Sequence, residues 1–325
     1  MKKINWGIIG LGKIANRLAN DLIMSENAVL YAVASRDSNK AKAFSQKYNV
    51  VKYFDSYEEL MKDTNIDVVY IATPHTFHFE YVMMSFKYGK SVLCEKPMGM
   101  NAHEVNTMIK EARSRNLFLM EGIWTRFIPA IEKLIELLER NTIGDILSVR
   151  ADFGFKANFD PQSRIFSKSL GGGSLLDIGI YPIYLSLLVL GIPMDIQAMA
   201  RMTKTGVDSH CAMLFDYQNS AKAILESTTE ADTPIEAYIY GTKGYIKLHR
   251  RFHHTKRISV HLNGKEEEIY NMDYEGEGLL NEIEEVNKCI LNNETESKKL
   301  PHATSLNLIQ IMDQVKERIG LAILK

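Results

Sequence analysis

Apolar residues gather in short, almost unbroken runs over the first 121 positions: INWGII at 4–9, AVLYAVA at 28–34, IDVVYIA at 66–72, and further runs at 91–94 and 117–121. Runs this short, with little alternation, predict strands buried on both faces. The intervening stretches, roughly 13–24, 38–48, 76–88 and 101–115, carry apolar positions at helical spacing. Strand and helix taking turns in this way predict βαβ units on a doubly wound parallel sheet.

Past about residue 122 the rhythm changes. A helical stretch near 127–141 is followed by a strand at 146–155 and an apolar helix containing "GGGSLLDIGIYP" (171–182). From 194 to 270, strands follow one another with turn signals between them: "KTGVDS", "DYQNSA", "YGTKGY" and "LNGKE". That succession predicts a large, open, mostly antiparallel sheet with flanking helices. Two helices, about 276–291 and 303–322, close the chain. The expected fold is α/β followed by α+β, with domains over 1–122 and 123–325, and with the last helix a candidate to pack back on the first domain. A chain of 325 residues is long enough for two cores.

Composition adds mainly exclusions. With 39 Lys plus Arg against 40 Asp plus Glu, the net charge is -1, so no global basic field draws nucleic acid or an anionic membrane. Cys94, Cys211 and Cys289 are scattered, without metal spacing, and suit a reducing cytoplasm better than a disulfide framework. The apolar run at the N-terminus reads as a strand rather than a signal peptide, and no stretch is expected to reach the roughly 18 apolar residues of a membrane span.

Four strand ends carry chemistry. "GIIGLGKIANRL" places Gly10, Gly12 and Ala15 in a G-x-G-x-x-A pattern between strand and helix. Gly10 allows the tight turn, Gly12 lets backbone approach a pyrophosphate, and Ala15 lets helix and strand pack closely. With Leu11, Lys13 and Ile14 they form the expected dinucleotide loop of a Rossmann domain, its helix N-terminus facing the phosphates. The second strand ends on Ser35 and Arg36, where an NAD site would present a carboxylate. A hydroxyl and a guanidinium suit a 2′-phosphate, so NADP is expected over NAD, with Asp37 capping the next helix. At the end of the 66–72 strand, Thr73, Pro74 and His75 are expected to line the cofactor site. His78 reads as a helix-start residue, and the His75–His78 pair lacks a third ligand for a metal. The fourth strand ends on Glu95 and Lys96, with Pro97 holding Lys96 extended, so that a fixed cation faces the nicotinamide end.

In the second domain Asp177 and Tyr181 are four residues apart on an apolar helix. Taken alone, the pair reads as a tyrosine hydrogen-bonded to a capping or core aspartate; taken with the first-domain motifs, it reads as two site groups. Trp124, Phe153 and Phe155 are candidate apolar walls, with core packing as the alternative. Arg126 is a candidate for a phosphate, carboxamide or substrate oxygen. The basic stretch "HRRFHHTKR" (249–257) reads as a solvated hairpin, or else as one whose Phe252 reaches the substrate.

G-x-G-x-x-A, "EKP" and "GGGSLLDIGIYP", in this order and spacing, resemble the glucose–fructose oxidoreductase, inositol dehydrogenase and rhizopine catabolism (Gfo/Idh/MocA) family over the whole chain. "LMEGIWTRFIPA" at 119–130 is similar to its dimeric dihydrodiol dehydrogenase and NADP-dependent D-xylose dehydrogenase branch. The resemblance implies an NADP-dependent dehydrogenase of an aldose, polyol or vicinal diol, with Tyr181 as acid–base residue and Lys96 beside it. It also implies a homodimer, or a tetramer, packed through the faces of the C-terminal sheets. A phenol of pKa about 10 is a poor base near neutrality, and a neighbouring ammonium favours its phenolate. Lys96 and Tyr181 are therefore expected to meet in the interdomain cleft. Asp177 would bond a second substrate hydroxyl or orient Lys96, and being anionic it must itself be paired. Two other readings stay open: a redox-neutral lyase with transient hydride transfer, and a cofactor-sensing protein without activity.

Overall fold

The computed structural model describes residues 3–321; Met1, Lys2 and 322–325, the outer ends of the two expected domains, lie outside the described residues. The chain forms two compact units, one of residues 1–127 with 275–306, the other of 128–274 with 307–325.

The first unit is a six-stranded sheet in the order β3-β2-β1-β4-β5-β6. Its strands are β1 (Ile4–Ile9), β2 (Ala28–Ala34), β3 (Lys52–Phe54), β4 (Val68–Ile71), β5 (Ser91–Glu95) and β6 (Leu119–Gly122). Every pairing is parallel. The strand order reverses beside β1, so the β1 and β4 ends border the crevice where open α/β sheets bind ligands. Helices α1 (Lys13–Leu22), α2 (Ser38–Tyr48), α3 (Tyr57–Lys62), α4 (His78–Lys87) and α5 (Ala102–Ser114) follow their strands. The short edge strand β3 and α3 are absent from the sequence reading. β3 has three residues, two of them exposed, so no apolar run marks it.

Helix α8 (Leu280–Leu291) belongs to this unit although it lies far along the chain. Asp21 of α1 holds its start, accepting the N–H groups of Glu277 and Leu279, each at 2.7 Å, and of Leu280 at 3.0 Å. Trp6 Nε1 donates to Asn287 Oδ1 at 2.9 Å. The late segment of the first unit is thus 275–306, which takes in the first residues of the last helix, where His302 Nε2 lies 2.9 Å from the Leu119 carbonyl of β6. That helix, α9 (His302–Arg318), continues from Asn307 in the second unit, where Arg318 Nε donates to the Ile196 carbonyl at 3.1 Å.

The second unit is an eight-stranded sheet in the order β14-β13-β12-β11-β7-β10-β9-β8. Its strands are β7 (Ile146–Gly154), β8 (Asp195–Met202), β9 (Asp208–Asp216), β10 (Lys222–Thr228), β11 (Ala237–Gly241), β12 (Gly244–Leu248), β13 (Arg257–Leu262) and β14 (Glu268–Asn271). All neighbours are antiparallel except β7 and β10. Burial alternates along the central strands, as period two requires of a sheet with one covered face: Cys211, Met213 and Phe215 of β9 and Ala223, Leu225 and Ser227 of β10 are buried. Helices α6 (Pro129–Glu139) and α7 (Ile180–Leu190) complete the unit. One sequence expectation needs correcting. The helical run Lys168–Leu190 is long and apolar enough, by length and composition, to cross a bilayer, but most of it is buried inside the protein as a core element.

Candidate active site

Gly10 ends β1 with φ +82°, the left-handed region that favours glycine. A Cβ there would meet the Ala72 carbonyl at 2.5 Å and the Thr73 nitrogen at 2.7 Å. Gly12 is the N-cap of α1 and offers no side-chain cap, while a Cβ on it would meet only Gly10 O, at 4.0 Å. The first N–H groups of α1 thus have no side-chain cap, and backbone at Gly12 leaves room for a close approach, as an anion at a helix N-terminus requires. Lys13 is exposed, Leu11 buried and Ile14 half-buried; Ala15 is buried in the helix–strand contact.

At the β2 tip, Ser35 is buried and its Oγ accepts the Asp37 N–H at 3.2 Å. Asp37 caps α2, accepting from Asn39 N at 3.0 Å and Lys40 N at 3.2 Å. The carboxylate is thus engaged in a cap, and the exposed Arg36 is the group presented to a ligand. The Tyr57 hydroxyl hydrogen-bonds with Arg36 and with the backbone of Gly10; burial above all holds its pKa above the ordinary value, so it stays a neutral phenol. Beside this loop, Thr73 Oγ1 is buried and has no hydrogen-bond partner among the described residues. A buried polar atom without a partner is costly, and here it lies next to the Gly10 turn. These groups together fit a dinucleotide bearing an extra anionic group near Arg36.

His75 is buried, and Pro74 starts its short 3₁₀ turn. His78 begins α4, with Nδ1 2.8 Å from the Pro97 carbonyl and Nε2 2.9 Å from the Thr73 carbonyl, tying the β4 and β5 ends together. The Lys96–Pro97 peptide is cis. Glu95 is buried, accepts a hydrogen bond from the Tyr70 hydroxyl and receives the Lys96 N–H at 3.2 Å. Glu121, at the end of β6, accepts the Met98 N–H at 2.8 Å. Burial pushes its carboxyl up to about 7, with the Glu95 charge adding to the rise and Lys96 opposing it.

Trp124 is buried on the turn Trp124–Phe127, with the Arg17 guanidinium 4.6 Å from its ring centroid. Arg126 Nε donates to the Lys299 carbonyl at 2.9 Å, so backbone takes part of the fork expected for a ligand.

In the second unit, Asp177 lies in a single π-helical turn, Leu175–Gly179, that leads into α7. Such turns recur at functional sites. The turn is held from its start: Asp208 accepts from Ser174 Oγ at 2.6 Å and from Leu175 N at 2.7 Å. Asp177 is paired, as its charge requires: Arg164 Nη1 meets Oδ1 and Nη2 meets Oδ2, each at 3.0 Å, a two-pronged fork. The loop carrying Arg164 is pinned to the glycine run, because a Cβ on Gly172 would meet Ile165 O at 2.5 Å and Arg164 O at 2.6 Å.

Tyr181 is buried in the first turn of α7. Its ring centroid lies 5.7 Å from Phe153 and 4.8 Å from His253, and Phe153 and His253 stack at 4.4 Å. Phe155 is half-buried, its N–H bonded to the Thr228 carbonyl at 3.1 Å. Phe252 is fully buried, and the ring from this stretch that packs beside Tyr181 is His253. Sequence reasoning passed over Arg164, His253 and Tyr57. The charge argument on Asp177 called for a cation without naming it; His253 lies in the basic stretch from which Phe252 was the candidate, and Tyr57 sits in a segment with no motif.

A parallel sheet with a glycine turn and an open helix N-terminus, joined to a second unit built on a large sheet, defines the class: a Rossmann-type dinucleotide-binding protein. Residues 4–123 match the "Oxidoreductase family, NAD-binding Rossmann fold" and residues 131–247 the "GFO/IDH/MocA C-terminal domain". The chain belongs to the Gfo/Idh/MocA oxidoreductase family. It is 38% identical over 330 residues to trans-1,2-dihydrobenzene-1,2-diol dehydrogenase of Mus musculus, covering 98% of this chain and 97% of that protein. The Homo sapiens protein of the same name is 37% identical over 329 residues, with the same coverage. Among solved structures, a 3-ketoreductase from Actinomadura kijaniata in complex with NADP superimposes with a TM-score of 0.88 at 24% identity, and an aldose-aldose oxidoreductase from Caulobacter crescentus with 0.89 at 22%; each match covers 98% of both chains. At these identities the structures speak for the fold.

Proposed function

We propose that the protein is an NADP-dependent dehydrogenase acting on a CH–OH carbon of a sugar, polyol or vicinal diol. The observation that carries the reading is the pairing of a 2′-phosphate-ready loop, Arg36 free of Asp37, with a buried tyrosine walled by rings in the second unit. The curated relatives named as diol dehydrogenases and the NADP-complexed structural neighbour support it. Gly10, Gly12, Ser35, Arg36, Tyr57 and Thr73 would hold the dinucleotide, which when bound supplies the hydride acceptor or donor.

The chain's own part is the proton. Tyr181 takes the proton of the substrate hydroxyl, or returns it to a carbonyl; the part that the family resemblance gives to Lys96 is the positive charge that favours a phenolate. Asp177, oriented by the Arg164 fork, accepts a hydrogen bond from a second substrate hydroxyl. Phe153 and His253 flank the ring of Tyr181 and form the wall of the substrate site.

Tyr181→Phe and Lys96→Met are expected to keep NADPH binding, followed by nicotinamide fluorescence, while kcat/KM for a sugar or diol falls roughly 100- to 10,000-fold. Undiminished turnover in Tyr181→Phe removes the assignment. Product without net change in nicotinamide absorbance would favour a redox-neutral lyase instead.

The reading extends to assembly and location. The outer face of the second sheet carries Met199 at 80%, Ile224 at 46% and Leu214 at 41% exposure, which supports a homodimer through that face. Cys94, Cys211 and Cys289 are buried free thiols, which supports a cytoplasmic setting.

A further inference from the structure

The segment HRRFHHTKR leaves β12 and enters β13 through an elbow whose backbone is costly to hold. Arg251 has φ 60° and Ile235 φ 56°, both in the left-handed region, which is a genuine outlier for a β-branched residue such as Ile235. The two are fastened together: Phe252 N donates to the Ile235 carbonyl at 3.1 Å, and Ile235 N donates to Asp152 Oδ2 at 2.7 Å. The fully buried Phe252 anchors the elbow, and His254 N donates to the Arg251 carbonyl at 2.8 Å. Tyr274 then locks the far side, its hydroxyl donating to the His254 carbonyl at 2.7 Å. Strained backbone of this kind persists where the surroundings over-determine it, and it clusters at functional sites.

What the elbow delivers is one imidazole. His253 is buried, stacked on Phe153 at 4.4 Å and placed 4.8 Å from Tyr181. A hydrophobic residue would fill that plate equally well if packing were its whole purpose. An imidazole differs in carrying a hydrogen-bond donor and an acceptor on a flat ring. A site that hydrogen-bonds a substrate hydroxyl discriminates strongly against an analogue lacking it, whereas an apolar wall discriminates weakly.

We propose that His253 is a specificity residue whose imidazole hydrogen-bonds a substrate hydroxyl beyond the reacting carbon, so that the site selects a polyhydroxylated sugar over a hydrocarbon ring bearing only a vicinal diol. The proposal rests on Tyr181 being the acid–base group and deepens that reading by naming the substrate class.

The test compares kcat/KM for an aldopentose and for trans-1,2-dihydrobenzene-1,2-diol in the full-length wild type, His253→Phe and His253→Gln. Wild type is expected to favour the aldopentose. In His253→Phe the aldopentose should lose roughly 30-fold more than the diol, mostly through KM, and His253→Gln, which keeps a donor and an acceptor, should recover part of that ratio. A wild type that favours the diol overturns the proposal, as does a ratio held within about twofold in the variants. Should His253→Phe fold poorly, the ratio in His253→Gln against His253→Leu decides by the same criterion. Tyr181→Phe separates the two levels: if it is inactive while the ratio does not move, only the role of His253 falls; if it is fully active, the catalytic reading falls and this one with it.

Discussion

Arg164 decides what Asp177 can contribute. With Nη1 on Oδ1 and Nη2 on Oδ2, each at 3.0 Å, the carboxylate is held in one orientation. Arg164 is partly exposed, so its removal is expected to cost only about 1 kcal/mol of stability. Its larger effect falls on binding. Arg164→Met should raise KM for a hydroxyl-rich substrate roughly tenfold with a smaller change in kcat, as steady-state kinetics with saturating NADP would show. Glu121 offers a second prediction at this scale. Burial lifts its carboxyl to about 7 in the folded protein, above the unfolded value of 4.5. Its stabilising contribution is therefore fully present below about 4.5 and is lost as pH rises through 7, a change on the order of 3 kcal/mol. Glu121→Gln should flatten the fall in urea-unfolding free energy between pH 5 and 7.5, roughly the window these two values bracket. A slope identical to wild type would refute the shift. Residue identity made Gly10, Arg36 and Tyr181 legible in the chain, because each sits in a local pattern. Arg164 and His253 were illegible for the opposite reason: Arg164 lies 13 residues from its partner Asp177 in an irregular loop, and His253 is 72 residues from Tyr181.

The elements bearing the site are set by caps and turns more than by propensity. Asp208, on β9, closes the start of the turn that carries Asp177 and leads to Tyr181, taking Ser174 Oγ and the Leu175 N–H. Burial raises its pKa, with these donors acting against the rise. Asp208→Ala leaves the Leu175 N–H buried and unpaired, while Ser174 Oγ keeps Ser227 as a partner; the loss is expected to cost about 1–3 kcal/mol and to lower the melting temperature by several degrees. Activity should fall with it, because the π-helical turn loses its anchor; an unchanged thermal midpoint in differential scanning calorimetry would contradict this. Strands with continuous apolar runs, such as β1, β4 and β5, were legible because burial on both faces leaves no polar position. β3, at the sheet edge, was not, and neither was the π-helical turn, since one extra residue in a turn barely alters the apolar spacing.

For the molecule as a whole, balanced charge leaves association to shape and apolar area. The outer face of the second sheet is where such area is exposed. Met199, Leu214 and Ile224 lie on neighbouring strands, and Tyr238, Tyr240 and Tyr245 extend the face, with Tyr240 and Tyr245 ring centroids 5.5 Å apart. The double variant Met199→Glu, Ile224→Glu introduces charge there without touching the core. Light scattering after gel filtration should find wild type at twice the chain mass of 37.0 kDa and the variant at that mass. A monomeric wild type would end the proposal.

Alternating apolar runs and helical spacing in the sequence alone determined that a parallel βαβ sheet precedes a mostly antiparallel one. The glycine spacing after β1 determined where a phosphate can be received, since only backbone freedom and an uncapped helix are needed there. Tertiary structure alone decided that α8 joins the first unit through Asp21 and Asn287, that Arg164 neutralises Asp177, and that His253 rather than Phe252 meets Tyr181. The physical reason is range. Periodicity and turn chemistry act over a few residues, whereas charge pairing and ring packing join positions that only the folded chain brings together.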